Sequence, residues 1–452
     1  MVSMFNELAI VFIIVFILTS LVSYFKQPTL IAYILSGIIL GPLFFDILST
    51  SGYYELFSHI GVAFLLFIVG LHLNPRLIKE VGVAAVITGV GQIVITIAIS
   101  LLLLFFLDFN FVTALIISIG IAFSSTIVIV KILSDKKALE TLSGKISLGF
   151  LLVQDFVAVI ALIGIESFAR FSAGASLQSI AISIIFTTLF GVGLIYGAKY
   201  VVNFLFSNSH NSELLLLYSV SWCLGISALF NYLGFSLEIG ALIAGIGLAS
   251  TNMHHEISAK IKPLRDFFLI MFFIVLGSQM FSSSFMENSL DSSQNMLELI
   301  GEEILEILPI VIPLSLLILI GNPIIVFTLL TILRYTPKVS FNAGLAVSQI
   351  SEFSLIIGLL ALNQGLITNK EISILTFIML ITIMISSYMY YHSDSMYKKV
   401  KPILRKLNSS TSNPNMKKSY NYQILLSGLN PNQENHILYI HNNNYSYSVI
   451  EA

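Results

Sequence analysis

Charge is what this sequence has least of. Only 10% of its 452 residues are Asp, Glu, Lys or Arg, while 56% are hydrophobic. Soluble domains carry roughly 25% charge, so this chain has too few ionic groups to cover a water-facing surface. A soluble enzyme and a disordered scaffold are excluded, and a multi-pass membrane protein is expected. Cysteine is almost missing as well: the one thiol, Cys223, rules out a disulfide framework. Basic residues are not in excess, the formal net charge being −2, so nucleic acid is not an expected partner. Met1 to Glu7 hold no basic residue, and the apolar run from Leu8 to Ser23 leads straight into more membrane sequence, so no cleavable signal is expected. GxGxxG, HExxH and Cys/His clusters are all lacking, which argues against a nucleotide fold or a resident metal, and no cofactor is expected.

Long apolar runs are what the sequence has. A helical span takes about 20 mostly apolar residues. On that measure the chain divides into thirteen all-α spans near 5–25, 28–46, 57–73, 82–107, 112–134, 143–169, 176–205, 212–231, 235–250, 263–281, 304–333, 340–362 and 371–392. Strands are not expected, because backbone in lipid must satisfy its own hydrogen bonds within each segment. Charge placement tests the division independently. Loops after odd-numbered spans hold Lys26, Arg76, Lys79, Lys136, Lys137, Lys145, Lys260, Lys262, Arg334 and Lys338, with Lys131, Lys199 and Arg265 at span ends on the same side. Lys398, Lys399, Lys401, Arg405 and Lys406 follow the last span. Loops after even-numbered spans hold only Arg170 and Lys370, and the loop from Phe281 to Glu303 has five acids and no base. Positive residues mark the cytoplasm. The expected setting is therefore the cell membrane, with the N-terminus outside and the C-terminus in the cytoplasm.

The transmembrane part is expected to occupy 1–395, and 396–452 is expected to be a short cytoplasmic tail, disordered for the most part. From about Ser409 the composition turns to Asn, Ser and Tyr, with one strand-like piece at Tyr422 to Leu426.

Two stretches resemble one another. The run Pro28 to Pro42, containing Gly37, aligns with Leu237 to Ala249, containing Gly245. The run Phe67 to Leu73, with Gly70, aligns with Phe273 to Met280, with Gly277. The glycines of the two pairs lie at nearly equal separations. A duplicated five-helix unit is expected, spans 2–6 and 9–13. By the charge alternation its copies enter the membrane from opposite sides. Inverted repeats of this kind are typical of secondary transporters, whose sites lie near the midplane where helices break.

Ionisable groups inside a span cost about 2.5–3.5 kcal/mol on the insertion scale and are functional by default. Asp155 lies near the middle of the sixth span. A carboxylate there that alternates between a proton and a metal ion would constitute an exchanger. Gln154 precedes it and offers a carbonyl oxygen without adding charge. Adjacent helix positions point about 100° apart, so the two need not touch. Ser124, Ser125 and Thr126 interrupt the fifth span, and Ser348, Gln349, Ser351 and Glu352 interrupt the twelfth. These two spans hold equivalent places in the repeat. Hydroxyls and amides replace backbone partners where a helix unwinds, so two broken helices crossing near Asp155 are expected. Glu352 is expected to neutralise helix ends rather than to bind the transported ion. Glu238, near the outer start of the ninth span, is an accessory candidate. Asn322 precedes Pro323, which is expected to kink the eleventh span; capping of that kink and a place in the site are equal readings. His72, beside Asn74 and Pro75, reads as interfacial rather than as a pH sensor.

The ordered set Pro28…Gly37…Gly41-Pro42, Leu66-Phe67…Gly70-Leu71, Ser124-Ser125-Thr126, Gln154-Asp155, Pro263 to Phe268 and Gln349 to Phe353 resembles the Kef-type branch of the monovalent cation:proton antiporters. The resemblance covers roughly residues 5–395. It implies a homodimer of thirteen-helix protomers in membrane lipid, each with a scaffold and a mobile core that moves in elevator fashion. It also implies that Asp155 binds the ion and the proton, with Gln154 beside it. Three departures stand out. Many relatives have lysine where Asn322 stands, some have two acids in place of Gln154 and Asp155, and many have Glu at the position of His72. Relatives also often continue into a nucleotide-binding regulatory domain, and no phosphate loop follows Ser409, so such regulation is not expected.

The expected activity is exchange of a monovalent cation, K⁺ or Na⁺, for H⁺. With one carboxylate and no nearby lysine, exchange is expected to be electroneutral. A channel-like K⁺ efflux system is the nearest alternative. An intramembrane aspartyl protease needs two carboxyls sharing a proton. Asp46, Asp108, Asp135 and Asp266 all sit at span ends, so that chemistry is set aside and no enzyme is expected.

Overall fold

The computed structural model describes residues 2–25, 27–42, 44–48, 53–72, 82–139, 141–172, 193, 197, 200, 212–233, 235–249, 251, 253–280 and 296–408. Among them every regular element is a helix. In order they are α1 (Val2–Tyr24), α2 (Thr29–Leu40), α3 (Tyr53–His72), α4 (Val83–Phe106), α5 (Phe111–Ile121), α6 (Thr126–Asp135), α7 (Leu142–Ser172), α8 (Ser212–Tyr232), α9 (Leu237–Ala249) and α10 (His254–Gln279). Then come α11 (Met296–Leu316), a π-helical turn (Leu317–Gly321), α12 (Asn322–Ile332), α13 (Pro337–Leu345), α14 (Glu352–Asn363), α15 (Asn369–Tyr391) and α16 (Ser393–Asn408).

Among the described residues, eight segments are long and apolar enough to cross a membrane, and α2, α9 and α14 are shorter apolar helices. The expected count of thirteen is not established by these elements, and the expected span at 176–205 lies almost wholly outside the described residues. Large apolar side chains face outward in numbers that water would not tolerate: Phe16 is 72% exposed and Phe106 77%. Such surfaces face lipid. This is a multi-pass membrane protein.

The helices fall into two groups. In one, α3 lies between α9 and α10, α2 packs on α10, α8 on α9, and α1 on α2. In the other, α4 contacts α5, α7 and α12, α13 contacts α12 and α7, and α14 contacts α5, α7 and α15. Direct contact between the groups is sparse and includes α15 against α10 and α2.

Glycine makes the first group possible. A Cβ on Gly37 would lie well under 3.0 Å from the Ile274 carbonyl oxygen, and one on Gly277 would collide in the same way with that of Ile34. A Cβ on Gly70 would strike the Leu242 oxygen, and one on Gly245 that of Phe67. Each glycine thus presses on the carbonyl one turn before its partner. Exchanging Gly37 with Gly245 and Gly70 with Gly277, as the repeat aligns them, turns one contact into the other. The packing therefore has the two-fold relation that the sequence repeat predicts.

The two interruptions that the sequence predicts are present: the spans at 112–134 and 340–362 are each two helices, broken at 122–125 and 346–351. Other expected spans differ in detail. The loop expected around His254 and His255 is already helix, and Pro263 sits inside α10 without ending it. Pro323 disturbs its helix by another route: the turn just before it opens into the π form over Leu317–Gly321, a common device for absorbing a local misfit. The boundary expected at 395 falls within α16, so 396–408 is helical rather than disordered. The amphipathic spacing of Met396, Tyr397 and Val400 with basic residues between them is what sustains that helix. The strand-like piece at 422–426 lies outside the described residues.

Gly37→Ala or Gly245→Ala will destabilise the protein by more than the ~1–3 kcal/mol usual for overpacking, because the obstacle is backbone. Gly225, where an added Cβ would meet nothing within 4 Å, is the control. Thermal scans of the detergent-purified variants should show large losses for the first two and little change for Gly225→Ala.

Candidate ion site

Two interrupted helices meet at their breaks. The Ser351 N–H donates to the Phe123 carbonyl (3.0 Å), joining one unwound segment to the other. Ser124 Oγ donates to the Val347 carbonyl (3.4 Å), and Ser354 Oγ to that of Gly120 (2.6 Å). The serines explain the local structure. Unwinding frees backbone groups that apolar surroundings would leave unpaired, and each hydroxyl supplies a partner. Each second half-helix then starts on a serine cap: Ser125 Oγ accepts from Val128 N–H, and Ser351 Oγ from Phe353 N–H.

Acids stand at both of these helix starts. Thr126, the first residue of α6, places its hydroxyl 3.3 and 3.2 Å from the two carboxylate oxygens of Asp155 on α7. Glu352 is the first residue of α14. Its Oε2 accepts from Ser125 Oγ (3.0 Å) and Ser351 Oγ (3.4 Å). Carboxylates are stabilised at helix N-termini by the macrodipole and the free N–H groups. The two differ in access. Glu352 is 4% exposed, whereas Asp155 is only partly buried. Neither forms an ion pair with Lys or Arg among the described residues.

Gln154 is fully buried and points elsewhere than Asp155. Its Oε1 accepts from the Ser124 N–H (3.1 Å), and its Nε2 donates to Gln92 Oε1. Gln92, on α4, donates from Nε2 to the Ala122 carbonyl (3.2 Å) and to Thr96 Oγ1 (3.0 Å). Thr96 donates to Asn322 Oδ1 (2.7 Å), and Asn322 Nδ2 donates to the Val347 carbonyl (3.4 Å). A chain of uncharged side chains thus runs from α12 through α4 to α7 and holds both unwound segments. The Asn322 side chain does not cap the kink; it reaches across to the second break.

Gln92 and Thr96 were not among the residues the sequence singled out. Their signal was present: Thr88, Gln92, Thr96 and Ser100 recur every fourth position along an otherwise apolar α4, and all four are 0% exposed. Gln349 Oε1 accepts from Ser386 on α15 (2.8 Å), so Gln349 braces the second break. Glu238 is placed outside the crossing. It lies 3.8 Å from His59, in a cavity of about 470 Å³ lined also by Glu55, Ser58, Gln279 and Asn363. His72 lies 3.2 Å from Ser258 at an exposed position. Glu166 and Glu306 are engaged structurally, with Arg170 and Ser236 for the first and Lys370 for the second.

Comparison with known proteins bears on the fold and the family. The Iron transporter MagA of Paramagnetospirillum magneticum (strain ATCC 700264 / AMB-1) is 26% identical over 82% of this chain and 82% of its own length. The K(+) efflux antiporters 5 and 4 of Arabidopsis thaliana are 26% and 25% identical, each over 76% of this chain. The aligned region is only 58% and 56% of those plant proteins. The solved structure of the sodium proton antiporter MjNhaP1 from Methanocaldococcus jannaschii at pH 8 shares the fold, with a TM-score of 0.50 and 16% identity over 89% of this chain and 98% of that one. The family model for the transmembrane sodium/hydrogen exchanger matches residues 10–390, nearly the whole helical region, so this chain belongs to the sodium/hydrogen exchanger family of cation:proton antiporters.

Proposed function

We propose that Asp155 is the site at which a monovalent cation, K⁺ or Na⁺, and a proton replace each other, and that exchange is one for one and electroneutral. The observation that carries this reading is the carboxylate of the partly buried Asp155 against Thr126 at a helix start, with no basic residue paired to it among the described residues. A carboxylate so placed is costly when bare and far less so when occupied. It therefore favours always holding one partner, which is the requirement of an exchanger.

Thr126 Oγ is the further oxygen nearest to hand. Glu352, shut in by two serine hydroxyls, serves as a fixed neutraliser of the helix starts. Gln154 is assigned to holding the break rather than to ligating the ion, since its carbonyl already accepts from Ser124. Asn322 is neutral, so the region carries no compensating positive charge that would move with the site, and this supports electroneutrality. An iron cargo is disfavoured by the ligands at hand: among the described residues no group of three or more His, Cys, Asp or Glu is gathered. The proposal extends to the cell membrane, with the N-terminus outside and the C-terminus in the cytoplasm, an orientation supported by the alternation of basic loops, and to a homodimer, which rests on the family resemblance alone.

Three outcomes follow. Asp155→Asn should abolish cation-driven pH changes in proteoliposomes while inserting and unfolding like the parent; wild-type exchange by this variant removes Asp155 from the mechanism. Imposing a membrane potential at fixed ion gradients should leave the exchange rate nearly unchanged, and a steep dependence would overturn the one-for-one stoichiometry. Single-channel currents would instead identify a channel-like K⁺ efflux system. Gln92→Leu leaves the Gln154 amide and the Ala122 carbonyl unpaired, and should lower stability by about 1–3 kcal/mol per orphaned group, read as a fall in melting temperature.

A further inference from the structure

The last described helix, α16, has no part in the site. It starts at Ser393, and only His392 separates it from α15, which is long and apolar enough to span the bilayer. A helix rises 1.5 Å per residue, so α16 begins at the membrane surface. Its first turns are fastened there. Lys136 Nζ donates to the Tyr390 carbonyl (2.7 Å) and to Ser393 Oγ (3.0 Å). Asp394 pairs with Lys338 (3.3 Å), and the ring of Tyr397 lies 5.6 Å from that of Phe341. Lys338 and Phe341 belong to α13.

The two sides of α16 differ. Met396, Tyr397 and Val400 are half-buried, while Lys398, Lys399 and Lys401 are exposed and form no ion pair among the described residues. In sequence the apolar positions continue at helical spacing through Ile403, Leu404 and Leu407, and the basic ones through Arg405 and Lys406. A helix with one apolar and one basic side, held at the bilayer surface, is suited to lie in the interface. Each basic residue near an anionic leaflet contributes on the order of 1 kcal/mol.

We propose that α16 is a docking surface for the anionic phospholipids of the membrane, and that its docking bears on transport through α13. The mechanical path is short. α13 leads directly into the second break, whose Val347 carbonyl receives Asn322 and Ser124. The docking half of this proposal stands on α16 alone; the transport half rests on the antiport reading above.

The test uses the full chain, labelled with an environment-sensitive fluorophore at Ser395→Cys; the native thiol of Cys223 is fully buried. The protein is reconstituted in phosphatidylcholine vesicles with and without phosphatidylglycerol. Phosphatidylglycerol should shift the emission, and high salt should reverse the shift. K398Q/K399Q/K401Q should weaken the response about a hundredfold in lipid dependence, and the corresponding triple Arg variant should restore it. An emission indifferent to phosphatidylglycerol, or equal in the Gln variant, overturns the docking surface. So does a shift produced by inorganic phosphate alone in phosphatidylcholine, which would point to a free anion. For transport, phosphatidylglycerol should raise the exchange rate severalfold in the parent and not in the Gln variant; a shift in emission without any change in rate overturns the link through α13. A parent chain that exchanges nothing in any lipid while its emission still responds sinks the antiport reading and leaves the docking surface standing.

Discussion

Two acids held inside an apolar helix bundle are the constraint from which the rest of the core follows. Asp155 meets Thr126 at the start of α6, and Glu352 opens α14 and accepts from Ser125 and Ser351, so each acid stands where a broken helix restarts. Breaking a helix in an apolar setting creates a second difficulty, because each freed N–H and carbonyl must find a partner. Ser124, Ser125, Ser351 and Ser354 meet that need at the crossing itself, and the amides of Gln154, Gln92 and Asn322 meet it from the side. The polar residues of the core are thus explained by two linked demands, one electrostatic and one of hydrogen-bond satisfaction.

Much of this was legible in the residues. The low charge content and the length of the apolar runs fixed the all-helical membrane class, since lipid permits few alternatives. The interruptions at Ser124 to Thr126 and at Ser348 to Glu352 marked the breaks because polar clusters in an apolar helix need a reason. The repeat was visible as two glycine pairs, and its physical cause is that only glycine lets backbones approach to carbonyl contact. What stayed hidden was pairing at a distance. Nothing local says that Gln154 turns to Ser124 and Gln92, or that Asn322 reaches Val347, because those partners lie 25 to 62 residues away. The four-residue stripe on α4 could have flagged Gln92 and Thr96, but polar side chains on a helix more commonly bond back to their own backbone, as Ser100 does. The helical start of the tail is not legible from charge content, since a run of Lys and Arg reads as a solvated segment, whereas its spacing with Tyr397 and Val400 is amphipathic.

The two helix groups differ in what they hold. The group holding α4, α5, α6, α7, α12, α13 and α14 contains every element of the crossing. The group around α3, α9 and α10 contains none of it, yet it lines the cavity at His59 and Glu238 together with residues of α14. The groups cohere by different means, dense hydrogen bonding inside one and backbone-close packing inside the other, while one apolar cluster runs through both, from Phe67 and Leu242 to Ile117 and Phe353.

The glycine quartet sets a limit on which substitutions this chain can absorb. In an ordinary core, an enlarged side chain is accommodated by trimming a neighbouring one. Here the neighbour at each of the four positions is a main-chain carbonyl, which no substitution elsewhere can shorten. Compensating changes are therefore closed off at the centre of the first bundle, and the internal repeat is legible there as four glycines facing four carbonyls.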